Sequence, residues 1–95
     1  TRSAGGEVLK VLMGELPWLV GGSADLAPST KTFVKECGSF QKGSFGGQNL
    51  HFGIREHGMG AILAGLAYHW GLVPFGSTFF VFTDYMTPPI RLAAL

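Results

Sequence analysis

Charge is what this sequence has least of. Only 14% of its 95 residues are Asp, Glu, Lys or Arg, against roughly 25% in a typical globular chain. Six acids and seven bases leave a net charge of +1. There is no run of basic residues, so neither nucleic acid nor an anionic membrane surface is indicated as a partner. Cysteine is nearly missing. Cys37 stands alone, which excludes an internal disulfide and a cysteine-rich metal site and suits a reducing compartment. His51, His57 and His69 lack the i, i+4 spacing of a helical zinc site, so no metal ligand is assigned. The Walker phosphate loop is absent. A dinucleotide fingerprint begun by Gly58 and Gly60 fails at Leu63. The stretch 58–83 carries no charge, but Gly65, His69, Gly71, Pro74 and Gly76 interrupt it, which argues against a membrane span.

Apolar residues fill the space that charge leaves, at 46% of the chain. So short and so apolar a chain leaves much apolar surface wet unless other domains or subunits cover it. The sequence begins at Thr1 rather than Met and closes at Leu95 inside an apolar pattern. It is therefore read as a piece of something larger. No signal or transit segment is visible, though a cut end would have lost one.

The apolar residues are ordered. Val8, Leu9, Leu12 and Met13 predict a helix over 3–14, with Ser3 as its cap and Pro17 as its end. Trp18-Leu19-Val20 predicts a short buried strand running into a small-residue loop, Gly21 to Asp25. Residues 27–48 read as surface loop with one helical turn near 33–37. Residues 49–54 alternate as a strand. Met59, Ile62, Leu63, Leu66, Ala67 and Trp70 then follow helical steps, with glycines and alanines opposite, so this helix is expected to pack on both sides and to stop at Gly71. Residues 72–79 predict another strand, and 90–95 the first turns of a further helix. Strand, helix, strand within about thirty residues is a βαβ unit, hence an α/β fold with a parallel sheet and flanking helices.

Within that pattern one acid stands out. Glu56 lies between a strand and an uncharged stretch that lasts until Asp84. A carboxylate at the lip of an apolar region is costly to desolvate, so it is either paired or chemically employed. The plain alternative is a first-turn acid that complements the helix dipole and pairs with Arg55 or His57. Phe79, Phe82 and Tyr85 recur at intervals of three. If the chain turns helically there, they share one face and Phe80 and Val81 point into the core. Such a face suits a flat, nitrogen-bearing ring, although aromatic stripes also build ordinary cores. Gly-Gly-Ser-Ala-Asp at 21–25 suits a phosphate or sugar held by backbone N–H and hydroxyl groups, and equally suits a plain turn.

Three stretches together carry a resemblance. Residues 15–29 (ELPWLVGGSADLAPS), 52–62 (FGIREHGMGAI) and 77–86 (STFFVFTDYM) resemble transketolase, in order and with similar spacing. The wording of the last two resembles plant and cyanobacterial members most. The resemblance implies that residues 1–95 are the first half of the family's pyrimidine-binding domain, with the diphosphate-binding and C-terminal domains outside them. It implies thiamine diphosphate as cofactor and Mg2+ or Ca2+ held by the missing domain. It implies a homodimer with the cofactor at the subunit interface, and sugar phosphates as substrates. Glu56 matches the catalytic glutamate that hydrogen-bonds the aminopyrimidine ring. Phe79, Phe82 and Tyr85 match the ring-stacking aromatics, and Asp25 an aspartate near the cofactor. Arg2 and Ser29 match the substrate-phosphate residues, whereas the three histidines match none of the family's site histidines. The implied reaction moves a two-carbon ketol unit from a ketose phosphate to an aldose phosphate, as in the pentose phosphate pathway and Calvin cycle. It places the protein in the cytoplasm, or in the plastid stroma of a photosynthetic eukaryote. A dihydroxyacetone synthase and a non-catalytic thiamine-binding module are the alternatives. One departure is Thr87-Pro88-Pro89, where prolines are expected to delay or kink the following helix.

Overall fold

The computed structural model describes residues 1–95. Its elements are α1 (Arg2–Glu15), β1 (Leu19–Ser23), α2 (Ala27–Thr30), β2 (Asn49–His51), α3 (Glu56–His69), β3 (Val73–Ser77) and α4 (Thr87–Ala94). Two 3-10 turns, Lys35–Cys37 and Phe80–Met86, complete it. The three strands form one parallel sheet in the order β2-β1-β3, with Gly22 opposite both Leu50 and Gly76. This is the expected α/β architecture.

The connections leave β1 and β2 toward opposite faces of the sheet, and each face has its own small core. On one, Met13 of α1 and Val34 pack with Leu19, flanked by Cys37 and Phe75. On the other, Met59 of α3 packs with Ala24 and Phe52, flanked by Leu50, Leu63 and Met86. No helix is long and apolar enough to cross a membrane.

Several local expectations change. Gly21 and Gly22 are strand, not loop. A Cβ on Gly21 would meet the carbonyl oxygen and ring of Phe75, and one on Gly22 the carbonyl oxygen of Leu50. Close backbone approach therefore demands glycine inside β1. Ser3 is not a cap, because α1 already begins at Arg2 behind Thr1. Pro17 does end α1, since the residue before a proline is pushed out of helical geometry. The strand expected over 49–54 stops at His51. Residues 27–30 form a short helix with Pro28 in its first turn, where a missing N–H costs nothing.

α3 stops at His69, with Trp70 at φ 67° and Gly71 at φ 93°. It packs on the sheet through Met59 and Leu63, and against α4 where Gly60 meets Pro89. Ile62 and Trp70 stay exposed, contrary to the expectation that this helix is covered on both sides. Phe80 and Val81 do not enter the core either, at 91% and 66% exposed. The 3-10 turn repeats every three residues, so Phe79, Phe82 and Tyr85 eclipse one another while Phe80 and Val81 face outward. Pro88 and Pro89 neither delay nor kink α4. They sit in its first turn, and Pro89 is buried there.

Candidate functional site

The carboxyl edge of the sheet carries the candidate residues. Glu56 is the first residue of α3, just beyond β2. It is 9% exposed, and no hydrogen bond or ion pair within the chain engages its carboxylate. The pairing alternative fails for a visible reason. The Arg55 guanidinium turns away to donate to the Phe52 carbonyl at 2.9 Å. The chain's one ion pair, Lys10–Glu36 at 3.0 Å, lies between α1 and the Lys35–Cys37 turn. Glu56 instead lines a cleft of about 450 Å³ with Ala24, Asp25, Leu26, Ile54, Phe82 and Tyr85. An uncommitted carboxylate in a mostly apolar cleft is a poised hydrogen-bond partner for a ligand nitrogen.

The aromatics form a ladder. Phe79 and Phe82 stack at 6.3 Å with planes 5° apart, and Phe82 and Tyr85 at 6.4 Å and 28°. Only the last two border Glu56. Phe79 lines a neighbouring cleft of about 340 Å³ with Arg2, Thr30, Ser77, Thr78 and Phe80. The Arg2 guanidinium lies 5.9 Å from the centroid of the Phe79 ring. It also donates to the Ser29 carbonyl at 3.1 Å. Arg2 and Ser29 are thus brought together, but through the Ser29 backbone rather than its hydroxyl.

Asp25 follows β1 with φ 69°, and its N–H is bonded back to the Ser23 carbonyl at 3.0 Å. This left-handed turn suits Asp better than most side chains. Asp25 lines the Glu56 cleft and also a third cleft with Lys31, Phe33 and His51. His51 meets the Ser39 hydroxyl at 2.8 Å, and none of the three histidines lines the Glu56 cleft.

Three polar residues that tie the elements together carry no signal in the sequence. Asn49 accepts the Val34 N–H at 3.0 Å and donates to the Val34 and Gly38 carbonyls, both at 2.7 Å. Gln48 donates to carbonyls of Met13, Leu16 and Leu19, which fastens the end of α1 to β1. Thr30 joins a string of hydroxyls between α2 and the sheet. Residue identity marks each as polar but not which carbonyls or hydroxyls it will face.

Comparison with known proteins bears on these residues. The family model for the transketolase pyrimidine-binding domain matches residues 1–95. A transketolase from Geobacillus stearothermophilus is 56% identical and one from Nostoc sp. 54%, each over the whole of this chain. The two identities are close, so they do not single out a cyanobacterial lineage. The chain spans 14% of the length of each. A solved transketolase from Pichia stipitis in complex with sedoheptulose 7-phosphate superposes with a TM-score of 0.93 at 37% identity. It covers 97% of this chain and 14% of that one.

Proposed function

Because the chain belongs to the transketolase pyrimidine-binding domain family, we propose that it supplies the ring-binding half of a thiamine diphosphate site in an enzyme that transfers two-carbon units between sugar phosphates. The observation that carries this is the uncommitted Glu56 carboxylate in a cleft walled by Phe82 and Tyr85. The cleft fits an aminopyrimidine: flat apolar walls for the ring, and one acid for its basic nitrogen. When bound, thiamine diphosphate supplies the stabilised carbanion that the reaction needs. The chain's own part is to seat the ring, keep water from it, and hold a proton between Glu56 and the ring nitrogen.

Phe79 braces Phe82 from behind, and Asp25 closes the cleft at the β1 end. Arg2 offers a charged fork, and Ser29 a neighbouring hydroxyl, for a substrate phosphate. That reading draws support from the Pichia stipitis transketolase, which is described as a sugar-phosphate complex. In this reading the diphosphate and its Mg2+ or Ca2+ are met by chain outside residues 1–95, and a second subunit completes the site. No observation favours the dihydroxyacetone synthase or the non-catalytic reading.

The test is Glu56→Gln in the full-length enzyme, assayed at saturating thiamine diphosphate. Turnover is expected to fall by about 10²–10⁴, the usual weight of a positioned proton donor or acceptor. Near-normal turnover would remove Glu56 from the role given to it.

A further inference from the structure

We propose that Thr30 is a positioning residue for the substrate-phosphate end of the site. The inference rests on the reading of Arg2 and Ser29 given above, and on a feature that no site residue supplies. α2 is only four residues long and contains Pro28, so its own hydrogen bonds cannot make it rigid. Yet it carries Ser29, whose carbonyl anchors Arg2.

Hydroxyls hold it in place. Ser23 ends β1, is 3% exposed, and donates to the Ser77 carbonyl at the end of β3, at 3.0 Å. A hydroxyl has one hydrogen, so the Ser23 oxygen is left to accept from the Thr30 hydroxyl at 3.3 Å. Thr30 shares its hydrogen between Ser23 and the Leu26 carbonyl at 3.0 Å. Thr32, 2.9 Å away, then donates to Thr30. The string ties α2 to two strands at their carboxyl ends. Thr30 also lines the cleft that holds Arg2 and Phe79. Removing its hydroxyl frees α2 to shift, and Ser29 and the Arg2 fork shift with it. Glu56 stands on α3 and makes no bond to this string, and only Leu26, at the start of α2, reaches its cleft.

The experiment uses the full-length enzyme with Thr30→Val, Thr30→Ser and Arg2→Ala. Xylulose 5-phosphate is compared with unphosphorylated xylulose, and thiamine diphosphate affinity is measured alongside. Thr30→Val should raise KM for the phosphorylated ketose roughly five- to tenfold, the size of one lost neutral hydrogen bond. Its kcat, its KM for the unphosphorylated ketose and its cofactor affinity should hold, and Thr30→Ser should restore KM. If Thr30→Val lowers thermal stability but leaves the ratio of the two KM values alone, Thr30 is structural only and the proposal is overturned. Equal losses on both substrates overturn it as well. If Arg2→Ala keeps the preference for phosphate, the reading of that end of the site falls and takes this one with it. If Arg2→Ala loses the preference and Thr30→Val keeps it, only the Thr30 proposal falls.

Discussion

Asn49 commits its whole side chain inward. At 1% exposure its amide bonds one N–H and two carbonyls of the segment Val34–Gly38. Asn49→Ala would leave the buried Val34 N–H unpaired, while the Val34 and Gly38 carbonyls keep the backbone N–H groups of Cys37 and residue 49, at a cost of about 1–3 kcal/mol. Urea denaturation of the full-length enzyme measures it. A loss indistinguishable from zero would mean that water replaces the amide there. Residue-scale facts divide sharply by legibility. Glu56 was readable because a lone acid beside an uncharged stretch has few explanations. Asn49, Gln48 and Thr30 were not, because the partners of a polar side chain are set by segments far away in sequence. Phe79 lies between these cases. Its spacing announced a stack with Phe82 and Tyr85, but only the folded 3-10 turn shows that its outer face serves Arg2.

At the scale of elements, the helix signals were the reliable ones. α1 and α3 follow from apolar spacing, and β3 from the run after Gly71. The misreadings share a cause. At Gly21, Gly22, Pro28, Pro88 and Pro89 the residue type alone suggests a break, whereas packing places each inside an element. Gly21 and Gly22 lie within β1 because neighbouring backbone crowds them, and Pro28, Pro88 and Pro89 begin helices. The contact between α3 and α4 shows the same logic. A Cβ on Gly60 would lie 2.8 and 2.9 Å from the Cγ and Cβ of Pro89, whose ring cannot swing aside. Gly60→Ala should therefore destabilise by about 1–3 kcal/mol, the usual range for overpacking. Thermal unfolding of the full-length variant checks this. An unchanged melting temperature would show that α4 slides freely over α3. Because the 80–86 turn runs from the aromatic ladder into α4, the variant is also expected to weaken cofactor binding.

For the whole molecule, composition foretold the surface. Few residues are fully buried, and Trp18, Ile62, Trp70, Phe80, Leu92 and Leu95 remain exposed. The outer edge of β3 is also unpaired, whereas that of β2 is partly covered by the bridge from Ser39 to Asn49. These 95 residues on their own are expected to bind thiamine diphosphate weakly or not at all. The Glu56 cleft meets only the ring, and no cluster of His, Cys, Asp or Glu is placed to hold a metal. Tight, metal-dependent binding to the 95-residue chain in a calorimeter would contradict this.

The glycine pair in β1 has a consequence for how such a chain can diverge. Every replacement of glycine adds at least a Cβ, and the atoms waiting for it at Gly21 and Gly22 include the carbonyl oxygens of Phe75 and Leu50. Main-chain atoms are the same whatever side chain a residue bears. No compensating change at position 75 or 50 can clear the room, so neither glycine can be rescued by a second mutation across the sheet. The two positions are closed to gradual drift. The strand that carries Ser23 and leads to Asp25 is held in place by atoms that mutation cannot alter.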